Sequence, residues 1–217
     1  MIQGIHLKLC GQTRAKDAQA AARLGADYLG FILYPKSPRF LSLDRYKELA
    51  PELPAGPRRV AVIVEPTDDE LAAALGAGFD FFQIHFSHTT PLTTLQSWSR
   101  QVGAHRAWFA PRLPPEVDVP TEWLPLAATF LLDTFHAGGF GGSGKTGDWE
   151  KFARHQQAHL QHTWILAGGL TPENVVDAVQ RSGAFFVDVN SGVESSPGLK
   201  DHAKLARLAA ALGRAER

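Results

Sequence analysis

The chain has 217 residues, of which 44% are hydrophobic and 20% charged, a composition typical of a soluble globular protein. Basic and acidic residues number 22 each, so no large field of one sign exists to attract nucleic acid or an anionic membrane. The N-terminus does not resemble a secretory signal, no apolar run is long enough for a membrane span, and the single cysteine excludes an internal disulfide. We expect one cytoplasmic domain over residues 1–217.

Short apolar or β-branched runs recur along the chain at the spacing expected when each strand is followed by a helix. The predicted strands cover residues 5–10, 28–34, 59–64, 80–85, 105–110, 128–133, 163–167 and 185–190. Alternating strands and helices predict an α/β fold with a parallel sheet, and eight such units can close into a (β/α)8 TIM barrel. A doubly wound open sheet is the alternative.

Helix boundaries are marked by short sequence signals. Thr67 with Glu70 predicts a capping box, and Thr171 before Pro172 predicts a second helix start. Near the C-terminus, an apolar stripe at helical spacing predicts a last helix that packs on the sheet. The stripe consists of Leu205, Leu208, Ala209 and Leu212.

Three junctions between a helix and a strand contain a glycine where the helix must end in a left-handed residue. These glycines are Gly25, Gly78 and Gly183. The proline-rich segment 110–126 is predicted to be an irregular fifth connection with one short helical turn, because cutting the chain there would leave two half-barrels with exposed edges.

The stretch 130–149, FLLDTFHAGGFGGSGKTGDW, delivers Asp133 from an apolar strand into a glycine-rich loop. Residues 139–146 fit the GxxxxGKT pattern of nucleotide hydrolases. That pattern requires a helix to start at its Gly-Lys-Thr, whereas here Gly147 follows at once and Asp148 resembles the N-cap of the next helix. A nucleotide hydrolase is therefore kept as a remote alternative, and the loop is predicted to act as a mobile lid.

In a (β/α)8 barrel the active site lies at the C-terminal ends of the strands. The polar residues predicted at these ends are Cys10, Gln83, His85, Asp133, Asp188 and Asn190. Side chains alternate along a strand, so Lys8 shares a face with Cys10. If both point into the barrel, Lys8 needs a carboxylate partner such as Asp188.

Glycines also follow the predicted seventh and eighth strands. Gly168 and Gly169 come after strand seven, and Ser191 and Gly192 after strand eight. The loops after these two strands form a recurrent phosphate site in this fold. The sequence therefore predicts a small phosphorylated molecule as the binding partner.

Several motifs in collinear order resemble those of the phosphoribosylanthranilate isomerases of tryptophan biosynthesis. The motifs are LKLCG at 7–11, GF at 30–31, YPKSPR at 34–39, QIH at 83–85, LD at 132–133, GGSGKT at 141–146 with DW at 148–149, AGGL at 167–170, DVNSGVE at 188–194, and PG with KD within 197–201. Together they span nearly the whole chain, and the combination is specific although no single motif is.

The resemblance implies an Amadori rearrangement of N-(5-phosphoribosyl)anthranilate to 1-(2-carboxyphenylamino)-1-deoxyribulose 5-phosphate, without metal or cofactor, in a monomer or homodimer. Cys10 matches the family's general base and Asp133 its general acid. The resemblance places Arg39 on the residue that binds the anthranilate carboxylate, and Gly168, Gly169 and Gly192 on the phosphate site. The other predicted substrate-binding residues are Gln83, His85 and Asp188, from their places at strand ends, and Ser191. A free cysteine has a pKa near about 8.5, so the base needs a positive neighbour, and Lys8 is the nearest candidate.

Three positions depart from the family pattern: Phe86 replaces a glycine, strand five lacks a lysine, and Asn190 replaces a serine. Another sugar-phosphate isomerase or epimerase, or a non-catalytic barrel that binds sugar phosphates, remains an alternative. A helical triplet of histidines could suggest a metal site, but without a carboxylate partner it is interpreted as a solvated helix face. The triplet consists of His155, His159 and His162.

Overall fold

Eight parallel strands form the central sheet. They are β1 His6–Leu9, β2 Tyr28–Ile32, β3 Arg58–Val64, β4 Phe81–Ser87, β5 Ala107–Arg112, β6 Thr129–Leu132, β7 Thr163–Leu166 and β8 Phe186–Val189. The structure, a computed structural model, describes residues 1–133 and 148–215. The strands pair in chain order and β8 pairs back with β1, so the sheet is a closed barrel. The predicted (β/α)8 TIM barrel is confirmed, and the open doubly wound sheet is wrong.

Helices surround the barrel. They are α1 Ala15–Arg23, α2 Leu43–Leu49, α3 Asp68–Leu75, α4 Leu92–Val102, α5 Trp149–Ala158, α6 Val175–Ser182 and α7 His202–Leu212, with short 3-10 turns at Ala50–Glu52, Thr121–Leu126 and Ser191–Val193. A small hairpin, β9 Glu194–Ser196 and β10 Leu199–Lys200, follows β8. The fifth connection holds only the 3-10 turn, as predicted. Among the described helices, none is long and apolar enough to cross a bilayer.

Most of the predicted boundary signals act as expected. Thr67 and Glu70 form the capping box of α3, and the backbone φ angles of Gly25, Gly78 and Gly183 are 91°, 83° and 67°. The apolar stripe of α7 is buried at its three leucines, with Ala209 only half-buried. Local sequence therefore determines where most of these elements begin and end.

Helix α6 begins later than predicted, although Thr171 Oγ accepts a hydrogen bond from the Glu173 N–H at 3.2 Å, as a capping residue would. The helix begins at Val175, with Asn174 as its N-cap. The Asn174 side chain folds back instead, accepting a hydrogen bond from the Thr171 N–H at 2.8 Å and donating one to the Gly169 carbonyl at 2.9 Å. This turn delays the helix and fixes the backbone of the loop after β7.

Aromatic side chains close the N-terminal end of the barrel. Tyr28 stacks on Phe186 with a centroid distance of 4.9 Å, and Phe81 lies 5.0 Å from Trp108. These rings belong to or pack against the apolar cluster inside the barrel, which also includes Cys10. Since the N-terminal end of the barrel is filled, side chains inside the barrel can contact a ligand only at the C-terminal ends of the strands.

Phe86, which stands where the family pattern has a glycine, lies inside β4 and is fully buried. Its ring centroid is 5.2 Å from that of Phe109 and 5.3 Å from that of Trp123. We expect Phe86→Ala to lower the free energy of unfolding by about 3–5 kcal/mol, because it leaves a cavity between the sheet and the helices. Denaturant unfolding measures this loss, with the exposed Phe40→Ala as control; a loss as small as that of the control would contradict the packing role.

The expectation that the histidine triplet forms a solvated helix face is wrong for His155. Its side chain is buried, stacks on Trp164 with a centroid distance of 5.3 Å, and places Nε2 3.2 Å from Asp118 Oδ1. Helix α5 ends at Ala158, so His159 and His162 are not on it. The buried His155 packs against β7 instead.

Candidate active site

A pocket opens at the C-terminal ends of the strands. It is lined by nearly all of the predicted site residues: Cys10, Arg39, Gln83, His85, Asp133, Gly168, Gly169, Asp188 and Ser191. Gly192 lies immediately beyond, against the loop after β7. The fold thus brings together residues that are far apart in sequence.

Lys8 and Asp188 form a buried ion pair beneath the pocket. Lys8 Nζ lies 2.6 Å from Asp188 Oδ2, and the two residues are partners in the β1–β8 register. The predicted pairing is confirmed. A Cβ atom at Gly30 would lie only 2.8 Å from Cys10 Sγ and 3.0 Å from Lys8 Cε, so glycine at this position of β2 leaves room for both side chains.

The electrostatic environment of Cys10 differs from the expected one. Burial raises the pKa of the thiol, and the positive charges of Lys8 and Lys200 oppose this without overcoming it. Burial acts to lower the pKa of Lys8, but Asp188 and Cys10 together outweigh it, and the net pKa is raised. Lys8 therefore acts on Cys10 in the predicted direction, yet the free protein holds Cys10 mainly as a thiol at neutral pH.

We expect Lys8→Met to lower the free energy of unfolding by about 3–5 kcal/mol, because it leaves the Asp188 carboxylate buried and unpaired. Denaturant unfolding at neutral pH measures the loss. The double variant Lys8→Met/Asp188→Leu removes both charges and should recover much of it. If the single variant were as stable as the wild type, the ion pair would not be the buried partnership described above.

Gln83 and His85 form a polar pair on β4. Gln83 Nε2 lies 2.7 Å from His85 Nε2. Burial, with the charge of Lys8, lowers the pKa of His85 to about 3, so the ring is neutral and accepts from the Gln83 amide. Within residues 1–133 and 148–215, the buried Gln83 Oε1 and Asp188 Oδ1 have no hydrogen-bond partner. Both residues line the pocket.

The loops after β7 and β8 meet at the pocket. The φ angles of Gly168 and Gly169 are 93° and 61°, and a Cβ atom at Gly192 would lie 2.0 Å from the Leu170 carbonyl oxygen. As far as the described residues go, the backbone N–H groups of Gly168, Gly169, Ser191 and Gly192 donate no hydrogen bond. Clustered backbone donors of this kind favour an anion such as a phosphate.

Asp133 follows β6 directly and is half-buried at the pocket wall. The predicted lid and the nucleotide-like motif at 139–146 lie outside the described residues. Beyond them, the Asp148 side chain accepts a hydrogen bond from the Lys151 N–H at 2.9 Å, as predicted for the N-cap of α5.

Arg39 lines the pocket and forms an ion pair with Glu194, for which the sequence predicts no role. Arg39 Nη2 is 2.7 Å from Glu194 Oε2. Lys200 Nζ also contacts this carboxylate, at 3.1 Å, and donates to Asn190 Oδ1 at 3.0 Å. No short-range pattern predicts these contacts, because they join the loop after β2 to the hairpin after β8.

No group of three or more histidine, cysteine, aspartate or glutamate side chains in the described part of the chain could hold a metal ion. The pocket itself presents a thiol, a carboxyl group, an arginine and a set of backbone donors. This arrangement suits proton transfer on a phosphorylated ligand that carries a second anionic group.

Residues 7–211 match the family model described as N-(5'-phosphoribosyl)anthranilate (PRA) isomerase. The chain belongs to the PRA isomerase family. The PRA isomerase of Acinetobacter calcoaceticus is 38% identical over 207 residues, covering 93% of each chain. That of Pseudomonas fluorescens (strain Pf0-1) is 37% identical over 206 residues, covering 94% of this chain and 96% of the relative.

Solved structures agree with this assignment. The PRA isomerase of Thermus thermophilus has a TM-score of 0.78 at 31% identity, covering 96% of this chain and 98% of the other. A second PRA isomerase, solved with reduced 1-(o-carboxyphenylamino)-1-deoxyribulose 5-phosphate, has a TM-score of 0.73 at 29% identity, with the same coverage. The protein is thus an isomerase of tryptophan biosynthesis that converts PRA to the deoxyribulose phosphate, and the nucleotide-hydrolase alternative is set aside.

Proposed function

We propose that Cys10 and Asp133 carry out the Amadori rearrangement of PRA in this pocket. Asp133 donates a proton to the furanose ring oxygen as the C1–O bond breaks, and the nitrogen lone pair forms a protonated imine at C1. Cys10, as thiolate, then removes the C2 proton to give an enolamine, and addition of a proton at C1 with loss of the proton of the C2 hydroxyl gives the ketone. Substrate and product are isomers, so these proton transfers need no redox or group-transfer cofactor.

The observation that carries this proposal is that Cys10 and Asp133, from β1 and the end of β6, line one pocket. The raised pKa of Cys10 fits a base that is activated by its substrate. Ring opening creates a positive charge at the imine nitrogen, and this charge adds to those of Lys8 and Lys200 in stabilising the thiolate. The thiol becomes a base when the imine has formed.

The same pocket offers a partner for each anionic end of PRA. Arg39 is proposed to bind the anthranilate carboxylate, since its fork of N–H donors matches a carboxylate. The N–H groups of Gly168, Gly169, Ser191 and Gly192 are proposed to bind the phosphate. Between these ends, Gln83 Oε1 and Asp188 Oδ1 would accept hydrogen bonds from the sugar hydroxyls, which satisfies two buried acceptors.

The experiment for this proposal generates PRA in situ from ribose 5-phosphate and anthranilate and follows its disappearance with purified protein. The wild type should consume PRA and form the deoxyribulose phosphate. A wild type without this activity, or full activity in both Cys10→Ala and Asp133→Asn, would overturn the assigned roles.

The proposed assembly is a monomer or a homodimer acting in the cytoplasm. A solved structure of monomers generated from the dimeric isomerase of Thermotoga maritima has a TM-score of 0.72 at 28% identity. Light scattering of the purified protein distinguishes one copy from two, and neither result changes the roles proposed for Cys10 and Asp133.

A further inference from the structure

The Glu194 carboxylate accepts hydrogen bonds from three residues. Arg39 Nε lies 3.0 Å from both of its oxygens and Arg39 Nη2 2.7 Å from Oε2. Lys200 Nζ and the Gly198 N–H each lie 3.1 Å from Oε1. Burial acts to raise the pKa of Glu194, but its hydrogen bonds with Arg39 and the charge of Lys200 hold it below its ordinary value. Glu194 is therefore a carboxylate, and its side chain is only 4% exposed.

The Lys200 ammonium group is also fully hydrogen-bonded. Its side chain is completely buried, and its ammonium group contacts Glu194, the Asn190 carbonyl at 3.2 Å and Asn190 Oδ1 at 3.0 Å. An ammonium group has three donors, and these three acceptors match them. Asn190 stands where the family pattern has a serine, and its side-chain oxygen Oδ1 is one of the three acceptors of the buried Lys200.

The charges of this group do not cancel. Arg39 and Lys200 contribute two positive charges and Glu194 one negative charge, so the cluster carries a net charge of one positive. Without Lys200, Arg39 and Glu194 would form a neutral pair with little attraction for an anion. The positive charge of the buried Lys200 neutralises the negative charge of Glu194. The positive charge of Arg39 can therefore attract an anion in the pocket.

The orientation of Arg39 is fixed as well as its charge. The bonds to Glu194 use Nε and Nη2, and Nη1 donates no hydrogen bond to the described part of the chain. A Cβ atom at Gly11 would lie 2.9 Å from Arg39 Cδ, so the stem of the side chain packs directly on the backbone after β1. The guanidinium plane is thus held with its outer edge directed away from Glu194.

We propose that Glu194 is a positioning residue that makes the pocket selective for an aromatic amine bearing a carboxylate, by holding Arg39 in one orientation while Lys200 neutralises the Glu194 charge. The inference rests on the proposed function, because it concerns the carboxylate of the same substrate. Glu194 is not among the residues that line the pocket, so it acts through Arg39 rather than on the substrate. Its effect is confined to the end of the substrate that Arg39 binds.

A pair of substrates tests this selectivity. Ribose 5-phosphate condensed in situ with anthranilate gives PRA, and condensed with aniline gives the same compound without the carboxylate. In Glu194→Gln the arginine loses its charged partner and is no longer held in one orientation. We expect kcat/KM for PRA to fall about tenfold or more, mainly through KM, while kcat/KM for the aniline compound stays unchanged.

Two further variants keep this test decisive. Glu194→Asp keeps a carboxylate beside the buried Lys200 but shortens the side chain that holds Arg39, so it should fold and show the same selective loss for PRA. Glu48→Gln removes an exposed carboxylate that pairs with Arg45 on the protein surface, and should change neither substrate. Equal losses for both substrates in the Glu194 variants would mean a purely structural role and would overturn the inference.

A binding measurement separates this inference from the proposed reaction. Titration of each protein with reduced 1-(o-carboxyphenylamino)-1-deoxyribulose 5-phosphate, and with the same compound lacking the carboxylate, needs no turnover. Glu194→Gln should weaken only the carboxylated ligand, by about tenfold. If the wild type failed to isomerise PRA but this difference held, the reaction would be wrong and the role of Glu194 right. If the wild type isomerised PRA but both proteins bound the carboxylated ligand equally well, the role of Glu194 would be wrong and the reaction right.

Discussion

Cys10→Ala is expected to lower kcat by a factor of about 10² to 10⁴, the usual contribution of a positioned general base. The variant removes the group that takes the C2 proton but leaves the carboxylate and phosphate sites intact, so KM should change little. Steady-state kinetics with PRA generated in situ measures both constants. A kcat within a few-fold of the wild type would show that another group removes the proton.

The chain offers an internal control for this prediction. Cys10 is the single cysteine, so alkylation by iodoacetamide reports on this thiol alone. The wild type should lose activity in step with alkylation, slowly at neutral pH because burial raises the pKa of the thiol. The reduced product analogue should protect it. Full activity after complete alkylation would contradict the assigned role.

Asp133→Asn is also expected to lower kcat by a factor of about 10² to 10⁴. Asparagine keeps the shape of the side chain but cannot donate the proton that ring opening requires. The matched control is Asp148→Asn, because asparagine caps a helix as well as aspartate does. The control should keep wild-type kinetics, and equal losses in the two variants would assign the effect to the segment between these residues rather than to acid catalysis.

Much of the fold could be predicted because the relevant signals are local. Each strand is an apolar run bounded by turn residues, and glycines such as Gly183 mark where helices end. The Lys8–Asp188 pair could also be predicted, although its members are far apart in sequence. A lysine that shares the inner face of a strand with Cys10 cannot stay buried without a carboxylate, and the end of the eighth strand supplies one.

The features that the sequence does not reveal depend on contacts between distant segments. Nothing near Glu194 in the sequence indicates that Arg39 and Lys200 will both bind its carboxylate, because the hairpin after β8 must first fold over the loop after β2. The start of α6 is not predictable from Thr171 and Pro172 alone, because the Asn174 side chain holds residues 171–174 in a turn before the regular helix begins. His155 looks solvated in the sequence because helical spacing alone does not show which face Trp164 covers.

The two roles proposed for Cys10 and Asp133 are tested most directly by cleavage of the C2–H bond. PRA is generated from ribose 5-phosphate carrying deuterium at C2, and kcat is compared with that for unlabelled PRA. We expect a large isotope effect in Cys10→Ser, where proton removal limits the rate, and an effect near unity in Asp133→Asn, where ring opening limits it. The reverse pattern, or a wild type that does not isomerise PRA, would contradict both roles.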